Sequence, residues 1–379
     1  MDLSYAQRLE DYHLACAFAD QRQGFYVDIG AGHPVADNVS FWFYLQGWRG
    51  LVVEPQEPLL ALYRRLRPRD IASGSLIGRE TGDAAFHIVE GLHGLSSMVE
   101  RNARRAAAFG AAYSTVRRPV TTLAELCARH DVNRIDFLKV DVEGAEADVF
   151  AGADWSRWRP RIVVGEVVAP HGAAESWREW DAILRAQDYV FALFDGLNRF
   201  YVAAEETELA ARLPRAPVPW GATRHLYEFG RAHENSTHPD HALATRLVQG
   251  FLATFAAGQD PSAGHRMRDF LARLPTLDEE QFVSLLQASG PADEGILHTY
   301  VRDDAFRAAL GRIAAPFDGG LMLDDEPTAM RVRTRRGPEP DSAGPTRANV
   351  RRNRALERAC WRSRGGGQWR GSGTRPSRG

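Results

Sequence analysis

Residues Val27–Asn38 read VDIGAGHPVADN, and the reading of this stretch decides the fold. An apolar run ends in Asp28 and breaks into a turn carrying Gly30, Ala31 and Gly32. A strand that feeds such a turn and then a helix opens a doubly wound α/β sheet, whose ligands lie beyond the carboxyl ends of the strands. A dinucleotide fingerprint requires a third glycine, and that position is Val35 here. The turn alone is a weak signal, because any tight strand-to-helix turn favours glycine. A second apolar run, RGLVVEP, ends in Glu54 and Pro55, with Glu54 26 residues after Asp28. An acid on the first strand, a small-residue turn and an acid on the second strand suit a ligand with an amino group and a ribose diol, since a carboxylate accepts two hydroxyl hydrogen bonds. S-adenosylmethionine (SAM) is such a ligand, and it has no pyrophosphate to cradle.

Outward from this stretch, strand-like and helix-like segments alternate over residues 24–205. The helices include DNVSFWFYLQG, PLLALYRRLR, SMVERNARRAAAF and TTLAELCARHD, and the strands include DIASGSLIG, AAFHIVEG, RIDFLKVDVEG and PRIVVGEVV. The alternation predicts an α/β fold with a doubly wound, mostly parallel sheet, and YVFALFDGLNRFYVA predicts an antiparallel edge hairpin turning at Asp195–Asn198. A helix is expected over residues 3–22, within an N-terminal segment 1–23, ahead of a main domain at 24–232. Residues 236–316 read as helices without strands, a small α-helical accessory module that offers a surface for a protein partner. Residues 327–379 are rich in Arg, Gly, Pro and Ser, the composition of a disordered tail.

Formal net charge is −2, but the segment 331–379 carries 14 arginines against three acids, so it is +11 and the remainder −13. An acidic body gives no support for a main domain that binds nucleic acid, and no nucleic-acid partner is expected. The three cysteines, Cys16, Cys127 and Cys360, are far apart and fit no disulfide framework or zinc spacing. The first residues lack a basic start and an apolar stretch, and no run reaches the ~18 apolar residues of a membrane span. A cytoplasmic protein without a membrane span is expected.

The second informative stretch is IDFLKVDVEGAEADVFAG, Ile135–Gly152. Lys139, Asp141 and Glu143 alternate, which places them on one face of a strand. Lys139 is the only lysine in the chain, so a compact ammonium is used where every other basic side chain is arginine. The alternative is a structural ion pair between Lys139 and Asp141. Taken in order, GFYVDIGAGHP, GWRGLVVEP, IDFLKVDVEGAEADVFAG and RPRIVVGEVVAP resemble the FkbM family of class I SAM-dependent methyltransferases. The resemblance spans residues 24–205, and its most specific block is KVDVEGAE.

The resemblance implies a Rossmann-like domain that moves a methyl group from SAM to a hydroxyl of a sugar or glycan, with Asp28, Gly30, Ala31, Gly32, Glu54, Pro55 and Asp141 at the cofactor. Catalytic candidates are Asp141, Lys139, Glu143, His93 and Glu166, with Asp141 first as the group that orients or deprotonates the hydroxyl. Glu146 and His171 are further candidates. Mg²⁺ held by Asp141 and Glu166 is the lesser reading, because no third carboxylate is evident, and no metal is assigned. Ser96, Ser97, Asn198 and Arg199 are weighed as hydrogen-bonding groups, and the aromatic run Phe41–Tyr44 with Trp48 as helix packing. Two other functions are weighed. One is a non-catalytic adaptor with a methyltransferase-like fold. The other is a nicotinamide-dependent oxidoreductase, opposed by Val35 and by the lack of a Tyr-x-x-x-Lys pair.

Overall fold

The computed structural model describes residues 1–91, 93–108, 111–167, 177–254, 263–290 and 293–319. His171 and the arginine-rich tail lie outside the described residues.

A seven-stranded sheet organises the chain. Its strands are β1 (Phe25–Ile29), β2 (Arg49–Val53), β3 (Ile71–Ser73), β4 (Phe137–Val140), β5 (Ile162–Glu166), β6 (Tyr189–Phe194) and β7 (Asn198–Ala203). Their order is β6-β7-β5-β4-β1-β2-β3. The first five strands are mutually parallel, and β7 runs antiparallel between β5 and β6. The antiparallel strand of the expected hairpin therefore lies one place in from the edge. The chain winds outward from β1 through β2 to β3, then returns to add β4 on the other side of β1. This is a mixed α/β, Rossmann-like architecture with its switch point between β1 and β4.

Side-chain alternation separates two cores. Val27, Ile29, Leu138, Val140 and Val163 face one side, where Leu126, Val149 and Trp180 cover them. Tyr26, Val52, Phe137, Ile162, Val164 and Phe200 face the other, against Leu14, Phe43, Trp48 and Tyr63. Phe41, Phe43, Tyr44 and Trp48 are buried, so the aromatic run is packing. Between β3 and β4 the chain forms a three-stranded sheet of Leu76–Ile77, Tyr113–Thr121 and Gly82–Val89, with the helix Glu100–Ala108 beside it.

The expected helix over 3–22 is shorter, Glu10–Ala17, while Leu3–Ser4 pairs as a strand with Arg224–His225. Asp11 explains the difference: its carboxylate accepts from Ser4 Oγ at 2.6 Å and Tyr5 N–H at 2.7 Å, drawing those residues out of the helix. The last expected helix divides into Glu294–Val301 and Asp304–Ala314 at Asp303, whose side chain caps the second by accepting from Ala305 N–H.

The helices after residue 240 share one apolar core with Val35, Ala36, Phe41, Tyr44 and Leu66. Gly311 permits the closest approach: a Cβ there would stand 2.6 Å from Val35 Cγ2 and 3.1 Å from Leu66 Cδ1. Val35, the residue that replaces the third fingerprint glycine, is fully buried against this helix backbone.

Candidate functional site

Register carries charged residues to one edge of the sheet. Asp28 lies opposite Val52 and Lys139, and Lys139 lies opposite Val164. Paired residues share a face and every second residue repeats it, so Asp28, Glu54, Lys139, Asp141 and Glu166 follow the same rows past the carboxyl ends of β1, β2, β4 and β5. Asn198, opposite Glu166, extends the row onto β7.

The glycine turn is shaped by backbone contacts. Gly30 has φ +71°, and a Cβ there would lie 1.7 Å from the Asp141 carbonyl oxygen, so no other residue fits. Gly32 has φ +62° with open space where a Cβ would stand. Glu54 Oε2 accepts from Gly32 N–H at 2.9 Å, and Oε1 accepts from Gln56 N–H at 2.8 Å. Burial pushes the Glu54 carboxyl up to about 7 against these bonds. The Ala31 carbonyl accepts from Asn38 Nδ2 and Tyr63 Oη, both at 3.0 Å. Half-buried Pro55 leads the chain from Glu54 into the next helix.

Asp28 is 1 % exposed. Its Oδ2 accepts from Ser40 Oγ at 2.7 Å, while its Oδ1 receives no hydrogen bond among the described residues. Ser40 is held by the buried Arg67, which donates to Ser40 Oγ and Tyr26 Oη at 2.9 Å and pairs with Asp70 at 2.7 Å. Lys139 bridges the switch point. Its Nζ donates to the Gly30 carbonyl at 3.0 Å, lies 3.1 Å from Asp141 Oδ2 and is 3.7 Å from Asp28 Oδ1. Burial opposes its charge, but Asp141 and Asp28 outweigh it and raise the ammonium above its usual range.

β4 ends at Val140, so Glu143 is not on the strand as alternation predicted. It reaches the cluster through a turn in which it has φ +56°. Carboxylate oxygens of Asp141, Glu143 and Glu166 lie within 4.8 Å of one another. The turn is fastened from two sides. Ser97 Oγ donates to the Glu143 carbonyl at 2.9 Å, Asn102 Nδ2 donates to the same carbonyl, and Glu146 Oε1 accepts from Gly144 N–H at 2.9 Å and Val142 N–H at 3.2 Å. Glu146 is thus a buried support for the turn and not a solvent-facing residue. Burial, then the charges of Asp141 and Glu143, hold the Glu166 carboxyl well above the usual range.

His93 sits elsewhere. Its carbonyl accepts from Gln56 Nε2 at 3.1 Å, its Nε2 is 3.0 Å from the Gly319 carbonyl, and burial lowers its pKa. These contacts join it to the Glu54 side of the site. Ser96 Oγ bonds Val89 N–H and Gln56, a structural link. Arg199 stacks on Trp177 and Phe191 and pairs with Asp181, and Asp195 Oδ1 accepts from Leu197 and Asn198 N–H, so that turn is local architecture. Sequence reasoning missed Gln56, and Glu10, a buried acid whose Oε1 accepts from Asn198 Nδ2 at 2.6 Å. The residues Glu-Asp-Tyr-His gave no sign that Glu10 turns inward.

Comparison with known proteins adds one match. The family described as Methyltransferase FkbM domain matches residues 28–191, from the Asp28 carboxylate to the β6 edge. No curated protein and no solved structure matches the chain. The matched span contains the glycine turn, Glu54 and the Lys139–Glu146 segment, so residues 28–191 are similar to the methyltransferase domain of the FkbM family.

Proposed function

We propose that this methyltransferase uses SAM and transfers the methyl group to a hydroxyl of a sugar or glycan. The observation that carries the reading is Asp28, a buried carboxylate at the switch point with one oxygen lacking a hydrogen-bond donor among the described residues. A ligand amino group would satisfy it. The open space at Gly32 and the Glu54 carboxylate beside it fit the rest of SAM, the second as acceptor for ribose hydroxyls. When bound, SAM supplies a methyl group activated by its sulfonium.

The chain's own residues do the rest. Asp28, Gly30, Ala31, Gly32 and Glu54 hold the donor side, with Lys139 tying the glycine turn to β4. Asp141 and Glu143 face the acceptor side, where a carboxylate takes the hydroxyl proton as the new C–O bond forms. General-base assistance of this kind is worth roughly 10²–10⁴-fold. Positioning of the two reactants supplies the larger share, because the methyl group is already activated. A set of carboxylates suits a polyhydroxylated acceptor, since each oxygen accepts a hydroxyl hydrogen bond.

Calorimetric titration of SAM and of NAD into the wild type, Asp28→Ala and Glu54→Ala tests the reading. SAM should bind the wild type, with affinity falling about tenfold or more in each folded variant, roughly 1.4 kcal/mol per decade. Folded wild type that binds no SAM overturns the proposal, and NAD binding instead would move the site to hydride transfer.

A further inference from the structure

We propose that Asp141, Glu143 and Glu166 form a binding site for a hard divalent cation at the carboxyl ends of β4 and β5. Three carboxylates from three separate positions, the end of β4, the following turn and the end of β5, bring oxygens within 4.8 Å of one another. Clustered acids alone are common on protein surfaces, but these are mostly withdrawn from water: Glu143 is 8 % exposed and Glu166 5 %. Glu166 Oε2 is buried and receives no hydrogen bond among the described residues. A buried carboxylate oxygen without a donor is costly unless something positive meets it.

Lys139 borders the cluster, with Nζ 3.1 Å from Asp141 Oδ2 and 3.7 Å from Asp28 Oδ1. Two ligand oxygens on opposite sides of a cation are about 4.2 Å apart for Mg²⁺ and about 4.8 Å for Ca²⁺, from bond lengths of about 2.1 and 2.4 Å. The cluster therefore fits either ion within a small adjustment of side chains. An all-oxygen ligand set selects Mg²⁺, Mn²⁺ or Ca²⁺ over softer metals. Three protein ligands leave coordination positions open. On the O-methyltransferase reading, those positions would take acceptor hydroxyls, and the cation would ease loss of their proton. Cation binding itself does not depend on that reading.

The test is titration of Mn²⁺ into the full-length, chelator-stripped protein without SAM. Free Mn²⁺ is followed by its paramagnetic resonance signal, and Mg²⁺ and Ca²⁺ are used as competitors. The expected result is one Mn²⁺ per chain at sub-millimolar affinity, displaced by at least one competitor. Binding should weaken at least tenfold in Glu166→Gln and in Glu143→Gln, and stay unchanged in Glu57→Gln, an exposed acid paired with Arg64. Thermal melting gives a second readout: Mn²⁺ should raise the wild-type midpoint and leave that of Glu166→Gln where it is. Folded wild type without stoichiometric binding of any of the three ions overturns the proposal. Binding that survives both cluster substitutions also overturns it, because the ion would then sit elsewhere. The SAM titration is a separate measurement, so failure of the cation site and failure of the cofactor reading are distinguishable.

Discussion

Lys139 is the residue on which the two halves of the sheet meet. It reaches across the switch point to the Gly30 carbonyl and stands between Asp28 and Asp141. Removing the ammonium leaves the buried Asp28 facing the half-buried Asp141, and breaking a buried pair from one side costs about 3–5 kcal/mol. Lys139→Met should lose stability on that scale in urea unfolding and lose SAM affinity with it. Lys139→Arg should recover only part of the loss, because a planar guanidinium fork does not reproduce the contacts of a compact ammonium with the Gly30 carbonyl, Asp28 and Asp141. A variant Lys139→Met as stable as wild type would show that Lys139 is not the brace inferred here. The importance of this lysine was legible in the sequence from its being the only one in the chain and from the alternation with Asp141. Glu143 was legible for the wrong reason: it joins the cluster through left-handed backbone and not through strand alternation. That conformation depends on Ser97, Asn102 and Glu146, three partners that no local pattern reveals.

At the scale of elements, the turn between β4 and the helix Glu146–Ala151 is set by its own first helical residue. Glu146 is buried and accepts two backbone N–H groups, and burial raises its carboxyl to about 7. A folded-state pKa above the ordinary value of 4.5 means that the native protein holds this proton more tightly than the unfolded chain. The resulting stability is fully present below pH ~4.5 and is lost as pH rises through about 7, at most about 3 kcal/mol for a shift of this size. Glu146→Gln keeps an acceptor for the two N–H groups without the titration. Its stability relative to wild type should therefore rise between pH 4.5 and 8, read from paired thermal melts across that range. Parallel curves would remove Glu146 from the account. Elements with a strong period were legible before the structure: the strands that end in acids, the hairpin and the C-terminal helices. Tyr113–Thr121 was not, because Arg117, Arg118 and Pro119 disguise its alternation and its partner Gly82–Val89 lies across a long insertion. The first residues misled as well, since a helical pattern gave way to a local side-chain bond from Asp11.

Over the whole molecule, the glycine turn is supported by chain that follows it by nearly 300 residues. His33 Nδ1 accepts from Val35 and Ala36 N–H at 3.2 and 3.0 Å, which leaves its Nε2 to donate to Asp318 at 3.1 Å. Below that contact, the helix Asp304–Ala314 packs on Val35, Tyr44 and Leu66, and Asp304 accepts from Arg69 Nε at 2.8 Å. These residues border the proposed cofactor turn, so the C-terminal helices bear on the site through packing. Re-exposing an apolar side chain costs about 1.5–3 kcal/mol, so uncovering Val35, Phe41, Tyr44 and Leu66 together would cost roughly 6–12 kcal/mol. That equals the whole stability of an ordinary domain, about 5–15 kcal/mol. A chain ended after Asn235 should therefore be insoluble or unfolded by circular dichroism. A chain ended after Gly319 retains every contact described here and should melt within a few degrees of the full chain. Asp318→Ala in that shorter chain should weaken SAM binding severalfold while the fold persists, because it releases His33, which holds the turn. If the chain ended after Asn235 folds and binds SAM like the full protein, the helices are an appendage, and the covered face of Val35 and Tyr44 has another partner.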